Sequence, residues 1–206
     1  MLVVAAVATL SSAGWAEPNG TTLNFSVTRN GEPIGTTTVS LQRDGDTTVA
    51  HASTHIKVKI AYLTVYRFDQ TETEKLADGR LQAMNSVTDD NGTVHKVAAQ
   101  NRGNVIAVDA DGKTSQVDAT LIPASPWNAL LVQKTAALDP RDGSVTPVSV
   151  VDHGEEHLIV QGRSTTAHHY SIATGFPQDV WYDEHHRLIK VELHGSDGSR
   201  IQYQPG

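Results

Sequence analysis

The sequence predicts a mainly β protein: a single curled antiparallel meander sheet, an open or incomplete β-barrel of about a dozen strands, with one short helix. Three observations predict it. Apolar and polar residues alternate with a period of two from Leu23 onward. Asn, Asp and Gly clusters that favour turns recur every 8 to 12 residues. Strand and helix patterns do not alternate as βαβ units do, which removes a doubly wound parallel sheet. So many twisted strands in one sheet do not stay flat, so the sheet is expected to curl and present a concave apolar face.

The elements follow in order. Leu23, Phe25 and Val27 alternate with polar residues, and Asn30-Gly31-Glu32-Pro33 turns the chain into Ile34 to Leu41. Asn-Gly between two alternating runs is a hairpin signal, because both residues tolerate positive φ. Val49 to Phe68 is too long for one strand and should break near Ala61. Further strands end at Asp89-Asp90-Asn91-Gly92, Asn101-Arg102-Gly103-Asn104 and Asp111-Gly112. Asn128 to Leu138 has helical spacing, with Ser125 as a possible N-cap and Asp139-Pro140 as the stop. Strand patterns resume from Val145 to Tyr203, with turns expected at Asp142-Gly143, His153-Gly154 and Asp197-Gly198. Residues 17 to 206 read as one β-rich domain.

Composition narrows the chemistry. The chain has 206 residues, no Cys and a formal charge of -7. Without cysteine there are no disulfides, thiolate metal sites or cysteine nucleophiles. The negative charge argues against nucleic acid as a partner. Residues 1 to 16, MLVVAAVATLSSAGWA, read as a signal peptide cleaved before Glu17. Its apolar run of nine is too short for a transmembrane segment, since crossing about 30 Å of hydrocarbon takes about 20 residues. A periplasmic or secreted protein is expected.

Four stretches carry a family resemblance: Asn30-Gly31-Glu32-Pro33-Ile34-Gly35, Pro123-Ala124-Ser125-Pro126-Trp127-Asn128, His169-Tyr170-Ser171-Ile172, and Asp179-Val180-Trp181-Tyr182-Asp183 followed by Gly195-Ser196-Asp197-Gly198-Ser199. In this order and spacing the chain resembles an exported bacterial family, the domain-of-unknown-function family six-one-three-four. The resemblance implies a β-rich periplasmic domain and brings no established activity. In architecture it is similar to incomplete-barrel carriers of the lipoprotein-sorting type, an analogy of fold that does not specify function.

Ten histidines are the compositional anomaly. His168 and His169 are neighbours in a strand and point to opposite faces. Either one, with Asp183 and His185 from the following turn, would make a nitrogen/carboxylate set for Zn or Cu. No other cofactor is implied. Ser125, His169 and Asp183 offer nucleophile, base and orienting acid for a hydrolase, but Ser125 lies outside any G-x-S-x-G elbow. Trp127 with Asn128, Trp181 with Tyr182, and Tyr170 offer aromatic walls and a hydrogen bond for a ligand. The same tryptophans would serve equally as core anchors. Tyr62 and Tyr66, on the most apolar strand, would line a lipid-binding face, and Lys57, Lys59 and Arg67 would meet a headgroup at its rim.

No strong catalytic motif occurs. The expectation is therefore a non-enzymatic carrier for a hydrophobic or lipid-like small molecule on the concave face. A hydrolase or metal-dependent enzyme, and a structural protein of the envelope, are the alternatives. The sequence does not specify an oligomeric state.

Overall fold

A computed structural model describes residues 19–206. The expected signal peptide and its cleavage point lie outside the described residues. Eight strands come first: β1 (Asn19–Arg29), β2 (Glu32–Asp44), β3 (Thr47–Ile60), β4 (Leu63–Ala77), β5 (Arg80–Asp90), β6 (Thr93–Asn101), β7 (Val105–Ala110) and β8 (Lys113–Asp118). A long connection carries one 3₁₀ turn (Ala129–Gln133) and the short pair β9 (Ala136–Leu138) and β10 (Val145–Pro147). Five strands follow: β11 (Ser149–Val160), β12 (Arg163–Thr174), β13 (Phe176–Tyr182), β14 (Leu188–His194) and β15 (Arg200–Pro205).

Thirteen strands form one antiparallel sheet in the order β11-β12-β13-β14-β15-β1-β2-β3-β4-β5-β6-β7-β8. It is two meanders joined side by side, because β15 pairs with β1 from Phe25↔Pro205 to Arg29↔Ile201. Among the described residues, β11 and β8 remain edges, so the sheet is open and not a closed barrel.

Local chemistry accounts for the hairpins. Asn30-Gly31, Asn91-Gly92 and Asp111-Gly112 all have positive φ, as the expected tight turns require. The break near Ala61 is also present: β3 ends at Ile60, Ala61 adopts φ 53, and β4 begins at Leu63. Gly35 has a different reason to be glycine. A Cβ there would lie 2.0 Å from the backbone oxygen of His55 on β3.

Two expectations are corrected. Asn128 to Leu138 is not a helix. The Asn128 side chain accepts from the Leu130 N–H at 3.1 Å and caps a single 3₁₀ turn. The chain then extends, and Ala136–Leu138 pairs with Val145–Pro147 while Leu138 bridges Pro123. An isolated helix of that length is marginal in water, whereas the extended path buries Ala137 and Leu138 completely. His153-Gly154 is not a turn either. It is a bulge inside β11, where the register shifts between Asp152 and Gly154, and the hairpin turns at Gln161-Gly162 instead.

The connection between β8 and β11 plugs the inner face. Leu121 and Leu138 pack with Leu81, Met84 and Ile106. Ile122 and Trp127 pack with Val39, Leu41 and Leu76. Leu131 and Val148 pack with Phe25, Ile172 and Val180. Each of these large side chains stabilises the fold by about 1.5–3 kcal/mol on burial. One irregular segment thus ties both meanders together. Among the described residues, no helix is long and apolar enough to cross a membrane.

Candidate functional site

Beside the plug the curved sheet leaves a cavity of about 680 Å³. Its walls come from β1 to β4 on one side and β12 to β15 on the other, closed by the segment from Ala124 to Trp127 and by Asp139 to Arg141. Phe25, Ile56, Phe68, Leu193, Ile201 and Tyr203 make the lining largely apolar. Burial pushes the Tyr203 hydroxyl up to about 12, so it stays a neutral hydrogen-bonding group.

The charged residues of the wall are arranged in pairs. Arg29 bonds Asp197 and donates to the Ser199 hydroxyl at 3.1 Å. Hydrogen bonds from Ser199 and from Arg29 hold the Asp197 carboxyl far below its ordinary range. Arg141 donates through Nε to both oxygens of Asp139, at 2.9 and 3.1 Å, and its guanidinium lies 4.3 Å from the centre of the Phe176 ring. Both arginines are therefore already neutralised by the protein.

The floor holds two carboxyl groups that sequence reasoning missed. Glu72 is 7% exposed and Glu74 is 0% exposed. They lie two apart on β4, so both side chains reach the inner face. Ser125 Oγ donates to Glu74 and lies 3.1 Å from Glu72 Oε1, and Trp127 Nε1 donates to Glu74 at 3.2 Å. Burial, and then the charge of Glu74, push the Glu72 carboxyl well above its ordinary value. Burial also raises Glu74, against hydrogen bonds from Glu72, Ser125 and Trp127 that favour its ionised form. The second oxygen of Glu74 is buried without a hydrogen-bond partner among the described residues. Burial therefore favours the protonated form of this pair beneath the apolar chamber.

The residues singled out by sequence do not stay together. Trp127 and Ser125 are at the cavity floor, and Tyr66 lines its wall, where burial and then a hydrogen bond to Asp90 raise its hydroxyl. Asn128 is buried but serves as the cap of the 3₁₀ turn, with Nδ2 unpartnered. Tyr62 is not on the wall; it is fully exposed at the tip of the β3–β4 turn. Tyr170 stacks on His168 at 4.5 Å and packs against the core outside the cavity lining. Trp181 lies on the other face of the sheet, because Val180 and Tyr182 take the inner positions on β13. Lys57 and Lys59 alternate with the wall residues Ile56 and Val58 and so point away from the chamber, while Arg67 bonds Asp69 and Asp89.

Neither expected catalytic set assembles. Ser125 meets Glu72 and Glu74 instead of a histidine. His169 lies on the outer face, 3.1 Å from Asp179. Asp183 is held in its own turn by Arg187 at 2.7 Å and by the backbone N–H groups of His185 and Arg187. The expected metal set fails for the same reason: His168 pairs with Asp152 at 2.6 Å on the opposite face from His169, and His185 is exposed beside Glu184. What the outer face does bring together is His153, His169 and Asp179.

Fold and site define a mainly β protein whose open antiparallel sheet wraps an apolar chamber with paired charges. A family model described as "Domain of unknown function (DUF6134)" matches residues 25–206, and the chain belongs to that family. No curated protein matches it. Among solved structures it is similar to a beta-barrel-like protein of domain of unknown function DUF1849 from Brucella abortus, with a TM-score of 0.65 and 11% identity over 91% of this chain and 94% of that one. At that identity the likeness is one of fold.

Proposed function

We propose that the protein is an exported, non-enzymatic carrier that binds a hydrophobic or lipid-like small molecule in the chamber between the two meanders. The observation that carries this reading is the chamber itself. Its volume of about 680 Å³ falls in the roughly 300–1,000 Å³ range of small-molecule sites, and apolar side chains dominate its walls. The ligand's polar end is neutral or cationic. An anionic headgroup would have to displace Asp197 from Arg29 or Asp139 from Arg141. A hydroxyl or ammonium group instead finds acceptors there.

The test uses delipidated protein and three amphiphiles of equal chain length: a fatty alcohol, a fatty amine and a fatty acid. Each competes with a neutral fluorescent apolar probe. The alcohol and amine are expected to displace the probe at concentrations at least about tenfold lower than the acid, a difference of about 1.4 kcal/mol. Val58→Trp, which fills a half-buried position of the wall, is expected to abolish probe uptake while leaving the far-UV spectrum unchanged. Probe uptake that Val58→Trp does not alter would rule out the chamber as the site, and preference for the acid would overturn the headgroup assignment. Export is tested by cell fractionation, with the mature chain expected to begin at Glu17 in the periplasm or medium.

A further inference from the structure

We propose that His153, His169 and Asp179 form a binding site for a late first-row divalent transition metal, Zn²⁺ or Cu²⁺, on the outer face of the sheet. One ligand atom from each residue lies within 4.8 Å of the other two. The three come from adjacent strands, β11, β12 and β13, so the set is mounted on hydrogen-bonded backbone and not on loops. Three features of the neighbourhood favour a metal over a chance cluster.

The first is the bulge in β11. Gly154, at φ 81, pairs with His169, and Asp152 pairs with Tyr170, which leaves His153 as the extra residue. A bulge re-aims a side chain, and here it lays the His153 ring on the His169 ring at 4.4 Å with an interplanar angle of 27°. Both Nε2 atoms then face the same polar spot: His153 Nε2 is 2.8 Å from Ser171 Oγ, and His169 Nε2 is 3.1 Å from Asp179 Oδ1.

The second is rigidity. His169 is stacked on Trp181 at 4.3 Å and 12°, and Lys190 Nζ covers the far side of the indole at 3.9 Å. His169 is thus held in one ring plane before any ion arrives. The third is the outer support of the ligands. Glu156 Oε2 lies 4.0 Å from His169 Nδ1, and Glu156 is itself held by the Trp181 indole N–H. At 4.0 Å this is a charge contact and not a hydrogen bond; a carboxylate on that side favours the proton on Nδ1, which leaves Nε2 for the metal. Ser171 Oγ donates to Asp179 and orients that carboxylate.

Two imidazoles and one carboxylate suit Zn²⁺ or Cu²⁺ rather than Mg²⁺ or Ca²⁺, which prefer oxygen ligands. Metal–ligand bonds of about 2.1 Å place tetrahedral ligands about 3.4 Å apart, a spacing that His169 Nε2 and Asp179 Oδ1 already approach at 3.1 Å. His153 is exposed and the other two are partly so, which leaves at least one coordination position open to water or a partner's ligand. The site is on the opposite face from the chamber, so its loading is independent of the carrier reading.

Tag-free protein, stripped with chelator, would be titrated with Zn²⁺, Cu²⁺ and Ca²⁺ by calorimetry. One equivalent of Zn²⁺ or Cu²⁺ is expected to bind, and Ca²⁺ is not. His153→Ala, His169→Ala and Asp179→Asn are each expected to weaken binding at least about tenfold, and Glu156→Gln about tenfold. His157→Ala, an exposed histidine on the same strand, should leave it unchanged. Cu²⁺ is expected to quench Trp181 emission, with the quenching lost in His153→Ala. Binding that survives both His153→Ala and Asp179→Asn, or quenching insensitive to His153→Ala, would overturn the proposal. So would the absence of a one-equivalent event.

Discussion

Trp127→Ala is expected to destabilise the fold by about 3–5 kcal/mol, the cost of removing a large buried aromatic side chain. The ring is 8% exposed and packs with Val39, Leu41, Ala50, Leu76 and Ile122, so it pins the plug to the first meander. Its removal opens the chamber floor and takes away the indole N–H that Glu74 accepts at 3.2 Å. Two costs therefore combine: lost apolar contact and a buried carboxyl left short of a donor. Trp127→Phe separates them. It keeps most of the packing and removes the N–H, and is expected to cost about 1–3 kcal/mol. It should also raise the Glu74 carboxyl further, because the indole bond favours the ionised form. Urea unfolding at fixed pH checks both values. Equal losses for the two variants would mean that the hydrogen bond, and not the packing, holds the plug.

Stability is expected to fall as pH rises above about 5, and Glu72→Gln is expected to flatten that fall. Burial raises the Glu72 and Glu74 carboxyls above their ordinary value of 4.5. Between that value and the folded-state values, the native protein holds protons that the unfolded chain has released. Stabilisation is complete below about 4.5 and is lost as pH climbs through the folded-state values, at about 1.4 kcal/mol per pH unit for each carboxyl still protonated. Glutamine keeps the shape and cannot ionise, so the wild-type minus variant difference in unfolding free energy isolates this contribution. A carboxylate held by cations acts in the opposite sense and at lower pH. Glu192, held at about 2 first by its hydrogen bond to Arg200, loses its stabilisation as pH falls from about 4.5 through 2. Parallel wild-type and Glu72→Gln profiles between pH 5 and 8 would show that the floor carries no bound proton.

Much of the strand plan was legible because its causes are short-range. Asn30-Gly31 turns because both residues accept positive φ, and Leu23, Phe25 and Val27 share a face because side chains alternate along any strand. The candidate site was less legible. In Thr71-Glu72-Thr73-Glu74-Lys75 alternation is visible, yet charged residues suggest the solvent side. A signal was present, since Glu72 and Glu74 are in phase with Phe68 and Leu76, but periodicity says which residues share a face and not which face is buried. His153 was misread for a related reason. Glycine with positive φ serves a turn or a bulge equally well, and only the pairing of β11 with β12 distinguishes them. The helix expected over Asn128 to Leu138 failed because its spacing was compatible with a strand pairing supplied from seven residues beyond.

By itself, then, the sequence determined a mainly β chain, most of its turns, its family and the excluded chemistries that follow from having no cysteine. The tertiary structure decided how two meanders join through β15 and β1, which segment fills the space between them, and where the charges go. Ser125 and Trp127 reach Glu72 and Glu74 across 51 and 53 positions of chain. His153 meets His169 and Asp179 only across three strands. Such contacts depend on sheet order and curvature, which arise from the summed packing of the whole chain and leave no mark in the neighbourhood of any one residue.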